Sequence, residues 1–219
     1  MARRHWVDFR LGVANILIVC TGNICRSPMA QGFLRHLLGE RGLGDVTVES
    51  AGVSAWADGE ATPEAIEALR ELGIDISDHR ARRLRRSMIE AADLVIGMAI
   101  EHRDAVVHLA PGAASRTFTL KELAALLEGL NGAWGADPTE ALRAGAARGA
   151  EVRALPDRPL LTDEDVADPL GLGLESFRAT AWELGELSER LVASVFGPAP
   201  AGQGRGAPIG GEPARGEGR

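Results

Sequence analysis

The chain has 219 residues, the size of one ordinary domain with or without tails, and its 45% hydrophobic and 25% charged residues exclude a disordered or fibrous protein. Its 24 basic against 31 acidic side chains leave a formal charge of −7, which argues against nonspecific nucleic-acid binding. Two cysteines cannot staple a secreted mini-protein or, with five scattered histidines, readily build a structural zinc site, and a chain without tyrosine cannot be regulated through tyrosines of its own.

Residues 11–20 form a mostly apolar run behind Arg3, Arg4 and Arg10, superficially like a signal peptide. Asn15 interrupts it, no small-residue cleavage pattern follows, and it is shorter than the ~20 apolar residues of a spanning helix. The expectation is a cytoplasmic protein with no stable membrane association, preceded by an N-terminal extension over 1–14.

Residues 15–20, Asn-Ile-Leu-Ile-Val-Cys, read as a strand buried on both faces. A turn over 21–23 leads to a helix over 28–41, with Pro28 near its start and Phe33, Leu34, Leu37 and Leu38 apolar. A second strand is expected at 46–50. Thr62 caps a second helix with Pro63 in its first position, Ile66, Leu69 and Leu72 on one face, and Gly73 closing it. A short helix over 87–92 precedes a third strand at 93–98. A helix over 101–109 stops at Pro111-Gly112, a fourth strand covers 116–120, and a helix covers 121–130. The last element is a helix over 175–196. Residues 131–163, rich in Gly, Ala, Arg and Pro, read as an insertion outside the compact core, partly helical over 139–148. Residues 197–219 read as a disordered Gly/Pro-rich tail. Ligand chemistry belongs at the carboxyl ends of the strands, because strands alternating with helices make a parallel sheet with helices on both faces.

The loop Cys20-Thr21-Gly22-Asn23-Ile24-Cys25-Arg26-Ser27 occupies such an end. Its backbone N–H groups, together with those of the following helix start, form a nest for an anion. That environment favours the thiolate of a cysteine at its rim. Arg26 adds a permanent charge and a planar fork for two phosphate oxygens. Gly22 lets the backbone approach closely, Asn23 tolerates a left-handed conformation, and the Ser27 hydroxyl can donate to the sulfur. A lone cysteine at a strand end is more often a small buried hydrophobe, and cysteine–five residues–arginine recurs by chance. Placement between a buried strand and a Pro-started helix decides for the nucleophile.

This loop, continued through Pro28-Met29-Ala30, closely resembles the phosphate-binding loop of the low-molecular-weight protein tyrosine phosphatases. Further segments resemble the family: Ser50-Ala51-Gly52, the stretch 73–82 containing His79, the stretch 118–123, and Asp168-Pro169 before the last helix. The resemblance covers about 15–130 and 164–196. It implies a flavodoxin-like α/β fold in three layers, a four-stranded parallel sheet of order 2-1-3-4 with helices on both faces.

Carried over to this sequence, the resemblance makes Cys20 the nucleophile, Arg26 the oxyanion clamp and Asp168 the general acid. Thr21, Gly22, Asn23, Ile24, Cys25 and Arg26 would bind phosphate; Asn23, Ser27, Ser50 and His79 would shape the loop. Cys25 would protect Cys20 by disulfide formation, and Trp56 and Leu170 would wall the substrate cleft. The family usually has an aromatic residue where Leu170 stands and often an acidic one where Ala99 stands. Asp137-Pro138 offers a rival general acid, but in a low-complexity stretch it reads as a turn. Asp163 and Asp165 read as cap and linker charges. The basic run Arg80, Arg82, Arg83, Arg85, Arg86 reads first as a solvated loop and second as attraction for phosphorylated substrates. His36, His102 and His108 read as surface or packing residues, and Trp134 and Trp182 as packing residues.

The implied activity is a metal- and cofactor-independent hydrolysis of protein phosphotyrosine through a phosphocysteine, by a monomer. A protein-arginine phosphatase of the same family is one alternative; those tend to carry Thr where Ile24 stands, which favours tyrosine here. A thioredoxin-coupled arsenate reductase is another, but its disulfide relay needs cysteines beyond the loop. A dead phospho-binding module is the third, and the joint presence of Cys20, Arg26 and Asp168 argues against it.

Overall fold

The computed structural model describes residues 14–198 except 131, 133, 136 and 160. The expected N-terminal extension and tail therefore lie almost wholly outside the described residues. Four parallel strands, β1 (Asn15–Cys20), β2 (Thr47–Gly52), β3 (Leu94–Gly97) and β4 (Thr117–Thr119), form one sheet of order β2-β1-β3-β4. Among the described residues, seven α-helices connect and cover them: α1 (Arg26–Glu40), α2 (Pro63–Arg70), α3 (Arg86–Ala91), α4 (Ile100–Leu109), α5 (Leu120–Leu126), α6 (Pro138–Arg153) and α7 (Leu174–Phe196).

The unbroken apolar run of β1 has a direct cause. Ile16, Ile18 and Cys20 belong to the larger core, with α1, α2, α5, α6 and α7. Leu17 and Val19 belong to a smaller core with Ile89, Val106 and Ala113 of α3, α4 and the 3₁₀ turn Pro111–Arg116. Alternate side chains of a strand face opposite ways, so a central strand under two helical layers has no solvent side. The chain turns to one side of β1 to form β2, then crosses to the other for β3. That change of direction leaves a crevice at the carboxyl end of β1, where Cys20 lies.

Most boundaries differ from expectation by one or two residues. α1 starts at Arg26, ahead of Pro28, because the loop runs straight into the helix. α2 is capped by Thr62, whose Oγ1 accepts from Ala65 N–H, with Pro63 first. A capping box on Thr119 and Glu122 starts α5.

The reading of 131–163 as outside the core is corrected. α6 buries Leu142 and Ala146 in the larger core. A Cβ on Gly149 would lie 2.9 Å from Leu123 and 3.1 Å from Phe118. The Arg153 guanidinium stacks 4.0 Å from the Phe118 ring centre and pairs with Glu122 at 2.7 Å. The weak hydrophobic periodicity has a physical origin: α6 packs through Gly and Ala, whose small size permits close approach but carries little apolar signal. Asp137 accepts from Glu140 N–H at 2.9 Å and is the N-cap of α6. No helix among the described residues is long and apolar enough to cross a membrane.

Candidate active site

The loop from Cys20 to Arg26 joins β1 to α1 and curls around the Cys20 sulfur. Asn23 N–H donates to Cys20 Sγ at 3.2 Å, and Ser27 Oγ lies 2.9 Å from the same atom. Ser27 Oγ accepts from Asn23 Nδ2 at 2.9 Å, which leaves the hydroxyl proton for the sulfur. Two hydrogen-bond donors thus converge on one sulfur.

Asn23 is the hub of the loop. It is fully buried with φ 56°, the left-handed conformation anticipated for it. Its Nδ2 also donates to Ser50 Oγ at 2.8 Å, and Ser50 Oγ donates to Gln31 Oε1 at 2.6 Å. Its Oδ1 accepts from Arg82 N–H, and its backbone carbonyl accepts from His79 Nε2, both at 2.8 Å. A carbonyl can only accept, so Nε2 carries the proton. Burial holds the His79 imidazole below its usual range, consistent with a neutral donor. Asn23, Ser27, Ser50 and His79 thus meet in one hydrogen-bonded network. Gln31 and Arg82 complete the brace and had not been singled out for it.

Close approach is demanded less at Gly22 than at Gly52. A Cβ on Gly22 would meet only the Ile24 side chain, at 3.3 Å. One on Gly52 would lie 2.6 Å from Thr21 O and 2.9 Å from Asn23 N. β2 therefore ends in a residue without a side chain because the loop passes directly over it.

Arg26 is 5% exposed. Its Nη1 donates to Val166 O at 3.2 Å; its Nη2 donates to Thr21 Oγ1 at 3.3 Å and to Asp168 Oδ2 at 2.6 Å. The segment bearing Asp168 is pinned to the end of β3 and the start of α4. Val166 N–H donates to Met98 O at 2.8 Å, and Asp165 Oδ1 accepts from Ile100 N–H at 2.7 Å. Arg103 Nη1 holds Glu164 at 2.9 Å. Asp168 Oδ1 accepts from Leu170 N–H at 3.2 Å in a turn completed by Gly171 at φ 82°. Asp168, not Asp137, is the carboxylate beside the cradle.

His102 is the residue that sequence reasoning undervalued. It is buried on α4, with Nε2 2.9 Å from Thr21 Oγ1 and 3.3 Å from Glu101. Burial and the nearby Arg26 charge hold it below the usual histidine range. It fixes the Thr21 hydroxyl that Arg26 uses, so it is a positioning residue. A histidine in a helix with weak amphipathicity gives no sequence signal of this, because the contact spans 81 residues.

Cys25 is buried, its Sγ 3.6 Å from Thr62 Oγ1, and burial pushes its thiol up to about 11. It is a neutral thiol at physiological pH. Trp56 is 88% exposed on the loop after β2, and Leu170 is 55% exposed. Trp134 Nε1 donates to Ser194 O at 2.8 Å, a packing role.

A family model described as low molecular weight phosphotyrosine protein phosphatase matches residues 15–131. A protein-arginine-phosphatase of Geobacillus stearothermophilus is 36% identical over 180 residues, 82% of this chain and 95% of the relative. A probable low molecular weight protein-tyrosine-phosphatase of Ralstonia solanacearum is 40% identical over 111 residues, 51% of this chain and 73% of the relative. The solved low molecular weight protein tyrosine phosphatase from T. tengcongensis superposes with a TM-score of 0.61 at 37% identity, covering 82% of this chain and 97% of that one. With the cradle, its brace and a cysteine–arginine–aspartate set at the switch point of the sheet, the chain belongs to the low molecular weight phosphotyrosine protein phosphatase family.

Proposed function

We propose that the protein hydrolyses phosphotyrosine in proteins through a phosphocysteine, without metal or cofactor, as a monomer in the cytoplasm. The observation that carries this reading is one buried guanidinium, Arg26, joined to the loop and to Asp168 beside a sulfur that accepts two hydrogen bonds. The Cys20 thiolate attacks phosphorus in line. The P–O bond to the leaving group breaks, and its electron pair stays on the leaving oxygen. Arg26 and the loop amides hold the equatorial oxygens. Phosphate oxygens compete with Asp168 for Arg26 Nη2, which releases the Asp168 carboxylate to take up a proton from solvent or from a substrate monoanion and pass it to the leaving oxygen. Water then attacks phosphorus, gives its proton to Asp168, and the S–P bond breaks to return the thiolate and inorganic phosphate. A catalytic thiol with a second free cysteine nearby suits a reducing compartment.

Ile24 and the exposed Trp56 support an aryl substrate. The second reading, phosphoarginine, is favoured by one observation: the relative matched over 95% of its own length is called a protein-arginine-phosphatase. The test is competition between phosphotyrosine, phosphoarginine, phosphoserine and arsenate for the purified protein. The expected order puts phosphotyrosine first. Faster turnover of phosphoarginine replaces the substrate, and reduction of arsenate replaces the reaction class.

A further inference from the structure

Five arginines crowd residues 80–86 of a chain whose net charge is −7. Three are neutralised: Arg80 by Glu60 at 3.3 Å, Arg82 by Glu49 at 2.9 Å and Arg86 by Glu90 at 2.7 Å. Arg83 and Arg85 are exposed, and among the described residues neither side chain has an ion pair or hydrogen bond.

The backbone places these two together. Gly52 N–H donates to Arg82 O, and Leu84 N–H donates to Gly52 O, each at 2.8 Å, so Arg83 pairs in parallel with the last residue of β2. Arg85 continues extended at φ −129°, ψ 148°. Alternate side chains share a face. Arg82 and Leu84 take one: the Arg82 guanidinium holds Glu49 and Ser50 O, and Leu84 packs on the smaller core. Arg83 and Arg85 take the other. Because the pairing is parallel, Arg85 lies beyond the carboxyl end of β2, the end of the sheet that carries the cradle. Arg82 N–H bonds Asn23 Oδ1, which ties the strip to the catalytic loop. The Arg83 N–H and C=O are turned away from β2 and, among the described residues, bond nothing. They form an open strand edge.

We propose that this edge is a docking track for the chain flanking the phosphorylated residue: an extended acidic segment whose carboxylates meet Arg83 and Arg85 and whose backbone runs along the open edge. The inference rests on the phosphatase reading and deepens it, naming acidic phosphopeptides as preferred substrates. Two unpaired arginines on one face of a single extended segment suit a short peptide, whereas recognition of an anionic lipid surface uses clusters of about 4–8 basic residues.

The test is binding of three phosphotyrosine peptides, with acidic, neutral or lysine flanks, to the Cys20→Ser protein by fluorescence anisotropy at low and high salt. The acidic peptide is expected to bind about five- to tenfold tighter than the neutral one, the scale of two exposed ion pairs, and to lose that margin in salt. The double variant Arg83→Ala/Arg85→Ala erases the margin and leaves the neutral peptide unchanged. Arg83→Glu/Arg85→Glu transfers the preference to the lysine-flanked peptide. Equal binding of all three peptides, no binding of any, or a preference that survives the double substitution overturns the track. So does a double variant that loses binding to phosphatidylserine vesicles while keeping its peptide preference. Turnover of p-nitrophenyl phosphate by the wild type reports the activity separately: its failure removes the hydrolytic reading and leaves the peptide comparison standing.

Discussion

Asp168 and Asp137 both precede a proline, and only their surroundings tell them apart. Asp168 Oδ2 lies 2.6 Å from Arg26, whereas Asp137 caps α6. Asp168→Asn keeps the shape and removes the proton, so turnover should fall about 10²–10⁴-fold. The loss should be greatest for poor leaving groups and shrink for activated aryl phosphates. Asp137→Asn should change turnover little; a crippled Asp137→Asn beside an active Asp168→Asn would reverse the assignment. The two cysteines differ in the same way. Peroxide is expected to convert Cys20 to a sulfenic acid, which attack by Cys25 would turn, with loss of water, into a disulfide that thiols reduce. Cys25→Ser should retain much of its activity but not regain it after peroxide and thiol treatment. Equal recovery of both proteins would remove the protective role.

At the scale of elements, two packing contacts decide whether the cradle holds its shape. β2 ends in Gly52 under the loop, where an added Cβ would press on Thr21 O and Asn23 N. Gly52→Ala should cost about 1–3 kcal/mol of stability and lower turnover as the loop shifts. Denaturant melts and kinetics measured together check this; an unchanged turnover would mean the loop can move without consequence. α6 is the second contact. Leu142 is fully buried, so Leu142→Ala should destabilise by about 2–5 kcal/mol, as core truncations do. A loss below about 0.5 kcal/mol, the range of surface changes, would return α6 to the status of an elaboration.

Across the whole molecule, the two histidines that brace the loop, His102 buried and His79 half-buried, link its integrity to pH. Both His79 and His102 are held below their ordinary value of 6.5, chiefly by burial. In the window between that value and the lowered ones, the unfolded chain binds more protons than the folded one. Stability is therefore full above the ordinary histidine value and falls as pH drops through this window, before the carboxylates begin to titrate. Thermal melts from pH 7.5 to 5.5 should show the decline, and His102→Gln should make it shallower, leaving the part due to His79. The same slope in the variant would mean that His102 does not contribute.

What the sequence determined by itself is what nearest neighbours along the chain can encode. The apolar run of 15–20, the Thr62-Pro63 helix start and the eight residues from Cys20 to Ser27 each carry their conformation or chemistry in consecutive side chains. The strand order, the cradle and its Asn23 hub were legible through the family resemblance that this dense loop carries. Tertiary structure alone decided the rest. His102 reaches Thr21 across 81 residues, and Arg82 reaches Asn23 across 59. Such contacts depend on where the sheet brings loops together, and no local periodicity records them. α6 was misread for a related reason. Helices that pack through Gly and Ala bury their backbone closely with little apolar area, so the hydrophobic pattern that announces a core helix is faint where the packing is tight.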